Sequence, residues 1–491
     1  MNQLQKLTDY SVTDAESIME IRTERLDPIV SSAYRYQFRL DTSSYIDRNT
    51  MLTFKAHSTA AANDNCRLNC WNGGLGAIKS IELQVGDFSI QKIENVNLWA
   101  TANHLYAKTP SVQNKLLSHY LHNNLKYEVV PVAGAADCDV VGSIKPDNST
   151  SGINYGQADT GGGAAINNMK LSQNAADNET IGIPLGMLLP MLNDRDLPLF
   201  LFTNYKVHLT IEFENASSLF ANNITDNNYA AAGRLAATDG EILFSDVELV
   251  ADYLILPSRV QNSVLEETAK EGGYALDFLN VDNIKKTIDA GTANTTQEIE
   301  HRINVINQEV HYLQLFKSLP NAINSDKVLL GQRSDGISLE RVQFNVNGVD
   351  IYTAGKVGNP CELYNNVTYT LGRDLQVVAP LYKKDPNTIA SLLAPPQQGL
   401  QGKYKPIMLS LQNGEPTRRG GGRFIGEYPI RVIYDRTPSA AANTTCFAAN
   451  NFSLVEAENG TLKCDYFVGT TRIMNVKTMP NGSMNVLVSD L

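Results

Sequence analysis

The sequence predicts an all-β protein built from two tandem antiparallel β-sandwich domains with a few inserted helices and long loops. Three observations lead there. Short segments alternate apolar and polar residues, glycine- and asparagine-rich connections separate them, and a hairpin of the first half recurs in the second.

The alternation is clearest in Tyr34, Tyr36, Phe38 and Leu40, which interleave with Arg35, Gln37 and Arg39. It returns in Ile81, Leu83 and Val85, in Val207, Leu209, Ile211 and Phe213, in Val342, Phe344 and Val346, and in Ile430, Val432 and Tyr434. A period of two gives each strand one dry and one wet face, as sandwiches and barrels require. Two segments carry helical spacing instead, Ser111 to Leu125 and Ser258 to Glu271, the second stopped by Gly272–Gly273. Residues 132–180 and about 380–427 have no sustained period and read as long surface loops.

The recurring hairpin carries the two-domain expectation. Ile81-Glu-Leu-Gln-Val85 runs into Gly86–Asp87 and returns through Phe88-Ser-Ile-Gln-Lys92. Val342-Gln-Phe-Asn-Val346 runs into Asn347–Gly348 and returns through Val349-Asp-Ile-Tyr-Thr353. The strand starts differ by 342 − 81 = 261 residues, and both turns use residues that tolerate positive φ. Phe202–Phe213 and Phe424–Asp435 form a second matched pair, nearer to its hairpin in the second half by about the length of the 132–180 segment. Each half then has the size of one jelly roll with elaborated loops.

Composition sets the outer limits. A chain of 491 residues with 43% hydrophobic and 19% charged residues can bury about two to three cores. A formal net charge of -11 argues against a dedicated nucleic-acid binder. The six cysteines (Cys66, Cys70, Cys138, Cys361, Cys446 and Cys464) form neither a disulfide framework nor a C-x-x-C site. The first residues lack a signal-peptide pattern, and the most apolar stretch, Ile181 to Leu192, is too short to span a bilayer, so a soluble protein of a cytosol-like compartment is expected. Ten Asn-x-Ser/Thr tripeptides then reflect a chain rich in these residues.

Three stretches resemble the double jelly-roll major capsid proteins of eukaryotic double-stranded DNA viruses, the virophage, polinton-like and large nucleocytoplasmic types. They are Gly73–Ile93 (GGLGAIKSIELQVGDFSIQKI), Ile183–Glu214 with its two Pro-Leu motifs and alternating strand, and Ser245–Val260 (SDVELVADYLILPSRV). The resemblance implies two eight-stranded antiparallel jelly rolls: an arm over 1–25, a first jelly roll over 26–257, a connecting helix and linker over 258–300, and a second jelly roll over 301–491. It also implies a homotrimer forming pseudo-hexagonal capsomers of an icosahedral virion shell, made in the host cytoplasm. Neighbouring capsomers, penton and minor capsid proteins would be its partners, with contact to an internal membrane or packaged DNA as a further option.

No chemistry-bearing motif competes strongly with that reading, so no catalytic, cofactor or metal residue is expected and no small-molecule substrate. His119 and His122 share a helix face but lack a matching carboxylate. Asp194-Arg195-Asp196 falls in a turn and reads as local ion pairing. Arg418, Arg419 and Arg423 flank a glycine run without P-loop spacing or interleaved aromatics. Two alternatives stay open: a carbohydrate-binding β-sandwich, for which Trp71 and Trp99 are the only tryptophans, and a trimeric receptor-binding or fibre protein, which would show short shaft repeats.

Overall fold

The computed structural model describes residues 20–58, 67–68, 74–105, 125–131, 140–146, 180–193, 196–202, 204–214, 220–221, 242–270, 273–292, 295–318, 341–358, 362, 366, 370, 407–412, 421–437, 461–478 and 484–490. In the first half, eight strands build the two main sheets, with shorter or peripheral strands between them: β1 (Glu20–Leu26), β2 (Arg35–Leu40), β3 (Met51–Ser58), β4 (Ile78–Val85), β5 (Phe88–Glu94), β6 (Ile181–Pro184), β7 (Val207–Phe213) and β8 (Ile242–Ile255). They form two antiparallel sheets in the orders β1–β8–β3–β6 and β2–β7–β4–β5.

The second half repeats the arrangement strand for strand. Its members are β9 (Tyr274–Ile288), β10 (Gln297–Ile303), β11 (Gln308–Ser318), β12 (Arg341–Val346), β13 (Val349–Asp350), β14 (Ile407–Ser410), β15 (Ile430–Arg436) and β16 (Leu462–Thr478). The sheets are β9–β16–β11–β14 and β10–β15–β12–β13. In both halves the order is first–eighth–third–sixth facing second–seventh–fourth–fifth, which is a jelly roll twice over. Single hydrogen bonds recur as well: the Leu185 N–H donates to Thr50 O at 2.8 Å, and the Leu411 N–H to His311 O at 2.7 Å. Thr50 and His311 stand 311 − 50 = 261 residues apart, the spacing of the two hairpins.

The hairpins form as their sequences dictate. Gly86 takes φ 60°, while Asn347 and Gly348 take φ 53° and 78°. These left-handed values match the twist of a two-residue turn. The inward residues of the alternating segments (Phe38, Leu83, Leu209, Phe344 and Val432 among them) are almost wholly buried. Helix α1 (Val96–Ala100) continues as a π-helical turn through Leu105, and helix α2 (Ser258–Lys270) joins the two jelly rolls. A last strand, β17 (Met484–Asp490), runs antiparallel along the end of β16.

The structure moves three expectations. Residues 20–25, read as part of an arm, are a strand of the first sheet paired along β8. Its sequence, EIRTERL, hides the strand because it lies at a sheet edge with nearly every side chain exposed. Residues 274–288, read as linker, are β9, the first strand of the second jelly roll. Within the 132–180 segment, Val140–Pro146 pairs with Leu125–Pro131, so Leu125 opens a strand where the helix was expected to end. The rest of that helix, with His119 and His122, lies outside the described residues.

Strand direction places the connections. In each jelly roll the links first-to-second, third-to-fourth, fifth-to-sixth and seventh-to-eighth leave from one end, since successive strands run in opposite senses. The longest links, residues 95–180 and 351–406, both belong to that end. The two-residue turns Gly86–Asp87 and Asn347–Gly348 belong to the other.

Candidate functional site

The most elaborated feature of the described residues is the seam between the two jelly rolls. The β9–β16–β11 sheet is buried on both faces, so its strands split their side chains between two cores. On β11, Leu313 and Leu315 enter the core of the second jelly roll, while Tyr312 and Phe316 join the apolar cluster of the first. On β16, Tyr466 and Val468 face inward and Phe467 faces the first jelly roll. Leu276, Phe278, Leu279 and Val281 of β9 join that cluster too.

From the first jelly roll, β5, α1 and the turn Pro190–Leu192 supply the other wall. Gln91 is wholly buried; its Nε2 donates to Leu279 O at 2.8 Å and its Oε1 accepts from the Met191 N–H at 3.2 Å. The Trp99 indole N–H donates to the Tyr312 hydroxyl at 3.0 Å, and burial raises that phenol's pKa. Asn103 and Gln314 exchange amide hydrogen bonds at 3.0 and 2.9 Å. Asn95 Nδ2 donates to Asp465 Oδ1 at 3.2 Å, and burial pushes the Asp465 carboxyl up. At the rim, Lys285 pairs with Glu94 at 2.7 Å, which holds the Glu94 carboxyl below its usual range. Buried amides matched donor to acceptor fix one register, because any slip would strand them without partners.

These contacts also orient the halves. Gln91 meets Leu279, and the Asn283 side chain donates to Glu94 O, so β5 and β9 run the same way. Both strands run toward the end that carries the long links. The two loop-bearing ends therefore point in one direction.

Other buried polar groups belong to the fold. His301 lies between Tyr434 and Tyr466, with Nδ1 2.8 Å from each hydroxyl, and burial lowers its pKa. His311 contacts the Thr471 hydroxyl through Nε2 at 2.6 Å, and desolvation lowers its pKa to about 4. On the outer face of the β10–β15 sheet, Glu300 accepts from Arg431 at 2.8 and 2.6 Å and from Arg302 at 2.9 Å; these bonds draw its pKa down to about 2.

Of the residues singled out in the sequence, the described ones occupy separate places. Asp194, Arg195, Arg418 and Arg419 lie outside the described residues, as do Trp71 and every cysteine but Cys464. Asp196 accepts from the Arg48 backbone N–H at 3.2 Å, and burial pushes its carboxyl up. Arg423 opens a short strand that pairs with the start of β11, and Cys464 is buried in the second core. Trp99 is a buried seam residue, unavailable to stack on a sugar. Among the described residues no group of three His, Cys, Asp or Glu could hold a metal, and no helix is long and apolar enough to cross a membrane. Sequence reading missed Gln91, Asn103 and Gln314, whose single amides carry no periodic signal.

No protein-family model matches the chain, and no curated protein matches its sequence. Solved structures do match. A chain of the quasi-atomic model of the PBCV-1 virus capsid superposes with a TM-score of 0.55 at 11% identity, covering 98% of this chain and 100% of that one. A chain of the Sputnik virophage structure from cryo-EM gives 0.53 at 10% identity, covering 98% and 90%. The PBCV-1 VP54 crystal structure fitted into a Sputnik reconstruction gives 0.53 at 10% identity, covering 98% and 100%. The chain has the double jelly-roll fold along almost its whole length.

Proposed function

We propose that the chain is the major capsid protein of an icosahedral double-stranded DNA virus, a structural subunit without catalytic activity that assembles as a homotrimer. One observation carries this reading: two jelly rolls of identical topology are locked side by side with their loop-bearing ends pointing the same way. Three such chains present six similar blocks, enough for a pseudo-hexagonal capsomer that can tile a shell. The likeness to the PBCV-1 capsid and Sputnik chains supports it. In this reading the first jelly roll spans residues 20–257, α2 connects, and the second jelly roll starts at Tyr274. The loop-bearing ends face outward and the hairpin ends face the shell interior. Neighbouring capsomers, penton and minor capsid proteins are the partners, the virion is the final location, and the host cytoplasm is the place of synthesis.

Light scattering on the purified chain, with negative-stain imaging of the same sample, tests the reading. A single species of three times 53.9 kDa with six-sided outlines is expected. A stable monomer at every salt concentration refutes it.

A further inference from the structure

The duplication lets the two cores be compared residue by residue. Leu83 and Phe344 match in the recurring hairpin, and they pair with Leu209 of β7 and Val432 of β15. Phe38 pairs with Leu209 from the other side, as His301 does with Val432. The same registers match Ile211 with Tyr434 and Leu249 with Val468, hence Val247 with Tyr466. Where the first core buries Phe38, Ile211 and Val247, the second buries His301, Tyr434 and Tyr466. A second exchange lies on the third strand of each half. The Asp252 N–H donates to the Thr50 hydroxyl at 3.1 Å, and at the matching positions the His311 ring meets the Thr471 hydroxyl at 2.6 Å.

The first half shows that this topology closes without a histidine at either position. We propose that the second jelly roll is the acid-sensitive half of the chain, loosened by protonation of His301 and His311 while the first jelly roll stays closed. The inference concerns the single chain. Joined to the capsid reading above, it gives a shell that acid weakens in one jelly roll of every chain.

His301 Nε2 lies 3.3 Å from the Thr287 carbonyl on β9, which can only accept. The neutral ring therefore keeps its proton on Nε2 and offers Nδ1 as an acceptor, 2.8 Å from the hydroxyls of Tyr434 on β15 and Tyr466 on β16. A second proton makes Nδ1 a donor, so a hydroxyl that donated to it must turn to accept, and a charge enters the core. Cys464 of β16 is a buried thiol, and Lys286 of β9 repels that charge. His311 Nδ1 is buried without a partner among the described residues, so a proton there is a donor with no acceptor. Glu309, two residues earlier on β11, offsets part of that cost. Burial lowers the pKa of both rings, so the unfolded chain binds their protons more readily. The stability they permit at neutral pH is therefore lost as pH falls below about 6.5. With a folded pKa of about 4, His311 alone shifts the folding equilibrium toward the open form by roughly 20-fold between pH 7 and pH 5. The first half lacks this bias in its core. Burial raises the Asp196 carboxyl, so acid favours its folded form. His208 is lowered by partial burial, Arg39 and Lys206, but it lies on the half-exposed outer face of β7.

Amide hydrogen exchange of the full chain, read by mass spectrometry at pH 7 and pH 5 and divided by the intrinsic chemical rate, tests the inference. Protection of β10 and β15 should fall by about ten-fold or more, while that of β2 and β7 changes by less than about three-fold. His301→Phe/His311→Thr, which installs the first-half residues, should remove the fall. His301→Gln/His311→Gln should do the same while keeping both positions polar, which covers a failure of the first variant to fold. No fall in the wild type, an equal fall in both halves, or a fall that persists in either folded double variant overturns the inference. The comparison within one chain reads the same in a monomer and a trimer, so it stands or falls separately from the light-scattering test of the capsid reading.

Discussion

Replacing Gln91 by Leu separates the seam from the rest of the stabilising interactions. The side chain is fully buried, and its two hydrogen bonds hold the Leu279 carbonyl at 2.8 Å and the Met191 N–H at 3.2 Å. Leucine nearly conserves the volume, so no large cavity forms. It leaves one backbone acceptor and one backbone donor buried without partners. Each such group costs about 1–3 kcal/mol, so the variant should lose roughly 2–6 kcal/mol. The loss should fall on the contact between the jelly rolls, leaving each core intact. Trp99 reports on that contact, because its indole N–H is held by Tyr312 and Trp71 is the only other tryptophan. In a Trp71→Phe background, urea unfolding followed by Trp99 emission should shift to lower urea. It should also separate from unfolding followed by far-UV circular dichroism. Coincident transitions displaced by less than about 0.5 kcal/mol would refute the claim that these bonds lock the halves together.

Gly469→Ala should open the same seam by another route, since a Cβ there would sit 2.5 Å from the Tyr312 ring, and a red shift of Trp99 emission in the folded protein checks it. Gly348→Val should cost about 1–2 kcal/mol in urea unfolding. A Cβ there meets nothing within 4 Å, so the cost is the left-handed φ of 78° alone. His311 has a pKa lowered to about 4 by burial, so the unfolded chain binds its proton more readily than the folded one. Stability should therefore rise with pH from about 4 to about 6.5 by up to about 3 kcal/mol, a slope that His311→Gln should flatten when both proteins are unfolded across that range. Glu300 is drawn down to about 2, so its contribution is complete above the unfolded carboxylate range and is lost as pH falls through the folded value. The group is largely solvent-exposed, so Glu300→Gln should cost about 1 kcal/mol or less at pH 7, and added salt should shrink the difference.

The sequence by itself determined the class of fold and its duplication. Period-two alternation at 36–40, 81–85, 207–213, 342–346 and 430–434 is local, and so is the turn chemistry of Gly86 and of Asn347–Gly348. Each reports on one strand and one bend, and the structure places all of them as read. The tertiary structure alone decided which faces meet. His311-Tyr-Leu-Gln-Leu-Phe316 shows no clean alternation, because the two sides of one strand serve different cores. Glu20–Leu26 reads as polar chain, because a sheet edge exposed to water leaves no hydrophobic imprint. Gln91 looks like any surface glutamine until β9 lies beside it. Periodicity records whether a side chain leaves water, and only distant pairing of the chain decides what it meets there.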